Sequence, residues 1–360
     1  MDAYIVSARK YRPKQFEEVV GQSHVTQTLE KAIKSNHLAQ ALLFTGPRGV
    51  GKTTCARILA RMINEEGGNT GEGDDFSFNI FELDAASNNS VDGIRSLIDQ
   101  VRFAPQTGKF KVYIIDEVHM LSASAFNAFL KTLEEPPSHA IFILATTEKH
   151  KIIPTILSRC QIYDFRRISV QDTLDHLKKV AVSEGVDFEE SALHIIAEKA
   201  DGALRDALSI FDRMATYGGG QITYDQVLVN LSILDYEFYF RIVDAAIQND
   251  QRQLLLIFNE ILDKGFDGHL FLNGLAAHLR DLLVSSDQST QMLLERGEDI
   301  KIRYVSQASI LSFERILESL DVLSKADADY RKSSNSRLLV ELSLLKLADC
   351  LSGEKKKPSH

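Results

Sequence analysis

The 360-residue sequence predicts an α/β nucleotide-binding domain, with a parallel sheet flanked by helices, followed by two all-helical blocks. Three observations predict it. An apolar run, Ala41-Leu42-Leu43-Phe44, leads into Gly46-Pro47-Arg48-Gly49-Val50-Gly51-Lys52-Thr53 and then into a helix-spaced stretch over 54–63. A second buried-strand pattern, Lys111-Val112-Tyr113-Ile114-Ile115, delivers Asp116 and Glu117 at its C-terminal end. From about Ser169 onward, apolar residues recur at three- and four-residue steps.

Composition bounds the rest. A chain of this length folds as two or three domains. Hydrophobic content of 44% with 25% charged residues is that of a globular protein. No run approaches a membrane span, and Met1-Asp2-Ala3-Tyr4 lacks the basic, apolar pattern of a signal peptide. Cys55, Cys160 and Cys350 are isolated and make neither a disulfide framework nor a metal motif. The expectation is a cytoplasmic protein with no membrane partner. A net charge of −9 argues against a broadly basic nucleic-acid binder but leaves room for a local basic groove.

In chain order, the basic stretch 7–14 reads as a solvated arm, extended before Pro13. A helix over 23–34 follows, with Ser23 as N-cap. The glycines of 46–51 let successive backbone N–H groups turn inward around phosphates, and the next helix adds its positive dipole end. Lys52 reaches the β/γ-phosphates of a nucleoside triphosphate, and the Thr53 hydroxyl ligates magnesium. The acidic, glycine-rich segment 65–75 reads as a surface loop with no calcium-loop spacing. After a strand over 79–83, Asp84-Ala85-Ala86-Ser87-Asn88-Asn89-Ser90 precedes a helix; its polar side chains read as caps, and such a helix start can also hold a backbone phosphate. Asp116 is the expected magnesium partner and Glu117 the base that takes a proton from attacking water. His119 reads as a structural, hydrogen-bonding residue. A strand over 140–145 ends in Thr146-Thr147-Glu148, where a hydroxyl stands beside the acid pair. Arg159 follows a helix-like turn and by itself reads as a solvated charge.

Together, residues 46–53, Asp116-Glu117-Val118-His119, Leu130-Lys131-Thr132-Leu133-Glu134-Glu135-Pro136-Pro137 and Ser158-Arg159-Cys160 resemble the AAA+ subunits of sliding-clamp loaders. Ala8-Arg9-Lys10-Tyr11-Arg12-Pro13 and Phe16-Glu17-Glu18-Val19-Val20-Gly21-Gln22 narrow the resemblance to the gamma/tau family of bacterial DNA polymerase III. It covers roughly residues 4–225 by motif, and the remainder by position and helical character. The resemblance implies an AAA+ P-loop NTPase domain over 1–168, a three-helix lid over 169–225, a helical oligomerisation collar over 226–351 and a disordered tail over 352–360. It implies that Val19 and Val20 pack near the adenine and that Thr147 is the first sensor. Arg205, in Gly202-Ala203-Leu204-Arg205-Asp206-Ala207, becomes the second sensor, reaching the phosphates from the lid. Arg159 becomes an arginine finger completing a neighbour's site in trans, a role worth on the order of 10³–10⁵ in rate.

The implied activity is ATP hydrolysis to ADP and phosphate, with ATP and Mg²⁺ bound. It drives the loading of a sliding clamp onto primer–template DNA within a ring of clamp-loader subunits. Nucleotidyl transfer would belong to the DNA polymerase of the same holoenzyme. Two departures stand out. Family members carry a four-cysteine zinc module after the phosphate-loop helix, whereas 65–75 holds no cysteine, so no zinc is expected. Asn88, Asn89 and Ser90, with Arg95, are the DNA-contact candidates, and three of the four are neutral where basic residues are common. Three alternatives share parts of the pattern. An AAA+ branch-migration helicase should carry a winged-helix domain after the lid. A non-catalytic clamp-loader stator tends to lose the phosphate loop. A helical adaptor would use its ATP site only to gate partner binding.

Overall fold

Strands that are apolar at consecutive positions are buried only where helices cover both faces of their sheet. The computed structural model describes residues 5–65, 76–87, 91–105, 108–231, 234–294 and 298–352. It divides into two compact units, Met1–Ile222 and Thr223–His360.

The first unit begins with α1 (Ser7–Lys10), α2 (Ser23–Lys34), β1 (Ala41–Thr45), α3 (Lys52–Glu65), β2 (Ile80–Asp84) and α4 (Val91–Val101). It continues with β3 (Lys111–Asp116), α5 (Ala123–Glu134), β4 (Ala140–Thr146), α6 (Pro154–Leu157) and β5 (Gln161–Asp164). These strands make one parallel sheet in the order β2-β3-β4-β1-β5. One row across it runs Leu83, Ile115, Leu144, Leu43 and Ile162. Successive side chains of a strand point to opposite faces. Leu42 and Phe44 therefore pack with Ile58 and Leu59 of α3, while Leu43 packs with Tyr113, Phe142 and Phe129 of the opposite layer. Each such fully buried side chain contributes about 1.5–3 kcal/mol. The central strands β1 and β4 are buried throughout, whereas edge strands β2 and β5 are partly exposed. Thr45, Asp116 and Thr146 end their strands side by side, which opens the site at the C-terminal edge of the sheet.

Three further helices complete this unit: α7 (Val170–Glu184), α8 (Glu190–Lys199) and α9 (Leu204–Tyr217), with a two-strand ladder of β6 (Asp187–Phe188) and β7 (Gln221–Ile222). These helices fall where apolar residues recur at three- and four-residue steps after Ser169. Ser169 caps α7 by accepting the Asp172 N–H at 3.0 Å, and Gly185 ends it at φ 67°, where a left-handed residue satisfies the last carbonyls. Two local expectations change. The stretch before Pro13 is not wholly extended: α1 forms there and packs against α9, with the Ser7 N–H donating to Asp212 Oδ2 at 2.7 Å. Ser23 is the first helical residue of α2 rather than its cap. Gln22 holds the cap position without a side-chain cap bond, because its amide pairs with both backbone groups of Arg166 instead.

The second unit is helical: α10 (Tyr224–Leu231), α11 (Tyr236–Ile247), α12 (Gln251–Asp263), α13 (Gly268–Ser285), α14 (Glu298–Ala308), α15 (Phe313–Tyr330) and α16 (Ser336–Ser352). Asp235, Asp250, Asp267 and Ser312 cap α11, α12, α13 and α15, each accepting an orphan backbone N–H. The core gathers Ile242, Leu254, Phe258, Phe271, Leu275 and Leu344. Gly274 lets α13 approach α11 closely: a Cβ there would fall 1.9 Å from the Tyr239 hydroxyl oxygen. Among the described residues no helix is long and apolar enough to cross a membrane. The acidic segment 66–75 and the tail 353–360 lie outside the described residues.

Candidate nucleotide site

The loop between β1 and α3 is shaped by three glycines at positive φ: Gly46 (143°), Gly49 (77°) and Gly51 (102°). Gly46 also lies against the chain that follows β5, where a Cβ would come 2.4 Å from the Phe165 carbonyl oxygen. A side chain at Gly46 is excluded for two reasons, one conformational and one steric. The turned loop leads into the N-terminus of α3, whose first N–H groups have no intrahelical partner and favour anions. Lys52 is buried, and its ammonium donates to the carbonyls of Gly46 and Pro47 at 2.8 and 2.7 Å. Burial holds the Lys52 pKa below its ordinary value, an effect opposed by the nearby carboxylates of Glu117 and Asp116.

Thr53 and Asp116 meet directly: Thr53 Oγ1 donates to Asp116 Oδ2 at 2.6 Å. The other oxygen, Oδ1, accepts the Glu117 N–H at 2.9 Å. A hydroxyl beside a carboxylate at the start of a phosphate-loop helix is the oxygen donor set that suits Mg²⁺. The loop fits a polyphosphate in the same way, with Gly49 and Gly51 at positive φ beside the start of α3. Glu117 sits in left-handed conformation, φ 47°, a costly state for a side chain with a Cβ. Its Oε2 accepts from the Thr147 hydroxyl at 2.9 Å and from the Thr147 N–H at 3.3 Å. The ends of β3 and β4 are thereby joined through the acid.

A cavity of about 180 Å³ brings most of the expected residues together: Val19, Val20, Arg48 and residues 49–53, with Asp116, Glu117 and Arg205. Arg205 is the second residue of α9, and its N–H donates to the Gly49 carbonyl at 3.4 Å, so the helical part of this unit touches the loop itself. Gly46 and Pro47 enter through their carbonyls on Lys52, and Thr147 through its bonds to Glu117. Arg159 is not brought there. Its guanidinium pairs with Glu134 at 2.7 Å and donates to the Thr155 carbonyl and the Ser158 hydroxyl. Asn88, Asn89 and Ser90 lie outside the described residues, as does the side chain of Arg95 on α4.

The sequence reading missed Tyr11, Arg12 and Pro13, which line the same cavity rather than forming a solvated arm. Arg12 stays exposed to solvent, yet partial desolvation at the cavity wall, and then the guanidinium groups of Arg57 and Arg205, hold its pKa below the usual value. Cations gathered at that cost favour an anionic ligand. The signal was the density of basic residues in 9–14, but their neighbours Arg57 and Arg205 are remote in sequence. Among the described residues no group of three or more His, Cys, Asp or Glu side chains is placed to hold a metal ion, and all three cysteines are free.

Comparison with known proteins agrees with this geometry. Three families match successive segments: "DNA polymerase III, delta subunit" over 21–169, "DNA polymerase III clamp loader subunit, ATPase lid domain" over 173–220, and "DNA polymerase III subunits gamma and tau domain III" over 222–358. The gamma subunit of Buchnera aphidicola DNA polymerase III is 32% identical over 361 residues, covering 97% of this chain and 99% of the relative. The tau subunit of Bacillus subtilis is 37% identical over 358 residues, 96% of this chain and 63% of the relative. That of Escherichia coli is 40% identical over 281 residues, 75% of this chain and 44% of the relative. The chain thus spans about half to two thirds of the length of these tau relatives. Among solved structures, the Thermotoga maritima RuvB Holliday junction branch migration motor shares the fold at TM-score 0.50 and 25% identity, covering 66% of this chain and 79% of that one. Sheet order, phosphate loop, lid and helical C-terminal unit are those of an AAA+ ATPase fold, and the chain belongs to the DNA polymerase III gamma/tau family.

Proposed function

We propose that this chain is the ATP-hydrolysing motor subunit of a DNA polymerase III clamp loader, opening a sliding clamp and loading it onto primed DNA. The observation that carries the reading is the joining of Thr53 to Asp116 at 2.6 Å with Glu117 one residue on, beside the glycine cradle and Lys52. Loop N–H groups and the start of α3 bind the phosphates, and the Lys52 ammonium exchanges its two loop carbonyls for β/γ-phosphate oxygens. Thr53 and Asp116 hold magnesium, which when bound neutralises charge on the phosphates. Glu117 takes the proton of the attacking water as the γ-phosphoryl bond breaks, and ADP and phosphate leave. Thr147 orients that carboxylate through its two bonds to Oε2. Val19 and Val20 pack by the base, and Arg205 touches the phosphates from α9. That contact links nucleotide to the angle at residues 166–169 between the AAA+ part, 1–168, and the lid, 169–225.

Arg159 acts on the ATP of the neighbouring subunit, and residues 226–351 form the collar that holds the ring. Asn88, Asn89, Ser90 and Arg95 contact primer–template DNA, and the chain works in the cytoplasm at the nucleoid, without zinc. The second unit, helical among its described residues, supports a clamp loader over a branch-migration motor, and intact Lys52, Thr53, Asp116 and Glu117 support a motor over a stator. The test is ATPase turnover of the reconstituted assembly with and without clamp and primed DNA. Stimulation by the two together is expected. Turnover indifferent to both would sink the reading.

A further inference from the structure

His119 was expected to be a structural residue, yet the turn that carries it, Val118–Met120, follows directly on Glu117. Its side chain is only 6% exposed and meets a polar partner at each ring nitrogen. Nδ1 lies 3.0 Å from Thr146 Oγ1 and 3.4 Å from Glu117 Oε2. Nε2 lies 3.0 Å from Glu148 Oε2. Thr146, fully buried at the end of β4, in turn accepts the Glu148 N–H at 3.0 Å on the same hydroxyl. The ring is therefore fixed at both nitrogens by groups on the far side of the β3–β4 junction.

Every one of these contacts on Glu117, from Thr147 N, Thr147 Oγ1 and His119 Nδ1, falls on Oε2. Among the described residues Oε1 makes no hydrogen bond, while Glu117 lines the nucleotide cavity. An acid with several rotatable bonds and a left-handed backbone keeps one orientation only if its surroundings determine it. Thr147 supplies both hydrogen bonds from one side, and the buried imidazole, 3.4 Å from Oε2, supplies the wall on the other. His119 does not line the cavity, so it has no direct hold on nucleotide affinity.

We propose that His119 is a positioning residue for hydrolysis: braced by Thr146 and Glu148, it holds Oε2 of Glu117 so that Oε1 faces the attacking water. The inference rests on the assignment of Glu117 as the base. A misplaced catalytic group loses rate without losing ground-state binding, and a shift of about 1 Å can cost about 100-fold.

The experiment measures ATPase turnover of the reconstituted assembly, with clamp and primed DNA, for wild type, His119→Ala, His119→Asn, Glu148→Gln and Glu117→Gln. Affinity for a fluorescent ATP analogue and melting temperature are recorded alongside. In His119→Ala, kcat should fall at least about tenfold with KM and nucleotide affinity changed by less than about twofold. His119→Asn, which restores a polar group at the Nδ1 position within reach of Thr146, should recover a large part of the loss. Glu148→Gln, at a half-exposed residue that leaves the core intact, should lower kcat in the same selective way, and it carries the test if His119→Ala fails to fold. A His119→Ala enzyme with wild-type kcat, or one whose loss is all in KM, overturns the inference, as does an unaffected Glu148→Gln. Glu117→Gln separates the two levels: if it turns over normally, the assignment of the base has failed rather than the bracing of it.

Discussion

Replacing Gly46 by alanine tests whether the phosphate loop is as tightly determined as its geometry implies. The residue has φ 143°, which an L side chain adopts only with strain of about 1–3 kcal/mol. The new Cβ would also lie 2.4 Å from the Phe165 carbonyl oxygen and 2.9 Å from its Cβ. Phe165 cannot retreat easily. Its N–H donates to the Thr45 carbonyl at 2.7 Å, and its ring packs 5.2 Å from that of Phe44. Overpacking of this kind costs about 1–3 kcal/mol more, so the total is about 2–6 kcal/mol. For a unit of this size each kcal/mol moves the melting temperature by about 2–4 °C, and a centre of about 4 kcal/mol gives a fall of about 12 °C. Gly51→Ala is the control. Its φ is also positive, 102°, but the nearest atom to a new Cβ is Val19 Cγ1 at 4.0 Å, so it should lose about half as much. Calorimetry of the two variants reads the ranking, and titration with a fluorescent ATP analogue should show Gly46→Ala binding the more weakly. The reasoning is refuted if Gly46→Ala melts with the wild type or no lower than Gly51→Ala.

Further outcomes follow from the same contacts. Assemblies of Lys52→Ala or Arg159→Ala subunits alone should be inactive, whereas mixing the two should restore turnover at interfaces that pair an intact loop with an intact arginine; mixtures that never regain activity remove the trans role. The Arg159–Glu134 pair, 2.7 Å apart with both side chains partly exposed, is worth about 0.2–1 kcal/mol. Glu134→Ala should release Arg159 toward the neighbouring site and raise turnover by up to about fivefold. A fall in turnover would show instead that Glu134 orients the arginine. The Thr45 hydroxyl and then Lys149, 2.9 Å away, hold the Asp164 pKa below its ordinary value. A lowered folded-state value means stability that is present above the unfolded pKa of about 4 and is lost as pH falls through the folded one. Asp164→Asn should therefore melt below wild type at pH 7, and the gap should close under acid; a gap that does not change with pH removes the charge as its cause.

Much of the fold could be read from local pattern. The run 41–44, the eight residues of the loop and the strand ending in Asp116 and Glu117 are each contiguous in sequence, and each signals through its own spacing. The helical character after Ser169 was legible for the same reason, since period-3.6 burial is written along one segment. The cap of α2 was misread because Ser23 looks like a cap by type, while Gln22 was committed to Arg166 across the fold. Type and spacing cannot report such a partner.

The sequence by itself determined a glycine loop between a strand and a helix, and a separate strand that ends in an acid pair, because backbone bending at glycine and each strand's apolar run need no distant residue. Only the tertiary structure decided what surrounds that pair. It brought Arg12 beside Arg57 and Arg205, set His119 between Glu117 and Glu148, and turned Arg159 away onto Glu134. These are contacts between segments that chain order leaves independent. Their energies depend on burial and on a few tenths of an ångström, quantities that exist only once the sheet and its covering helices have packed.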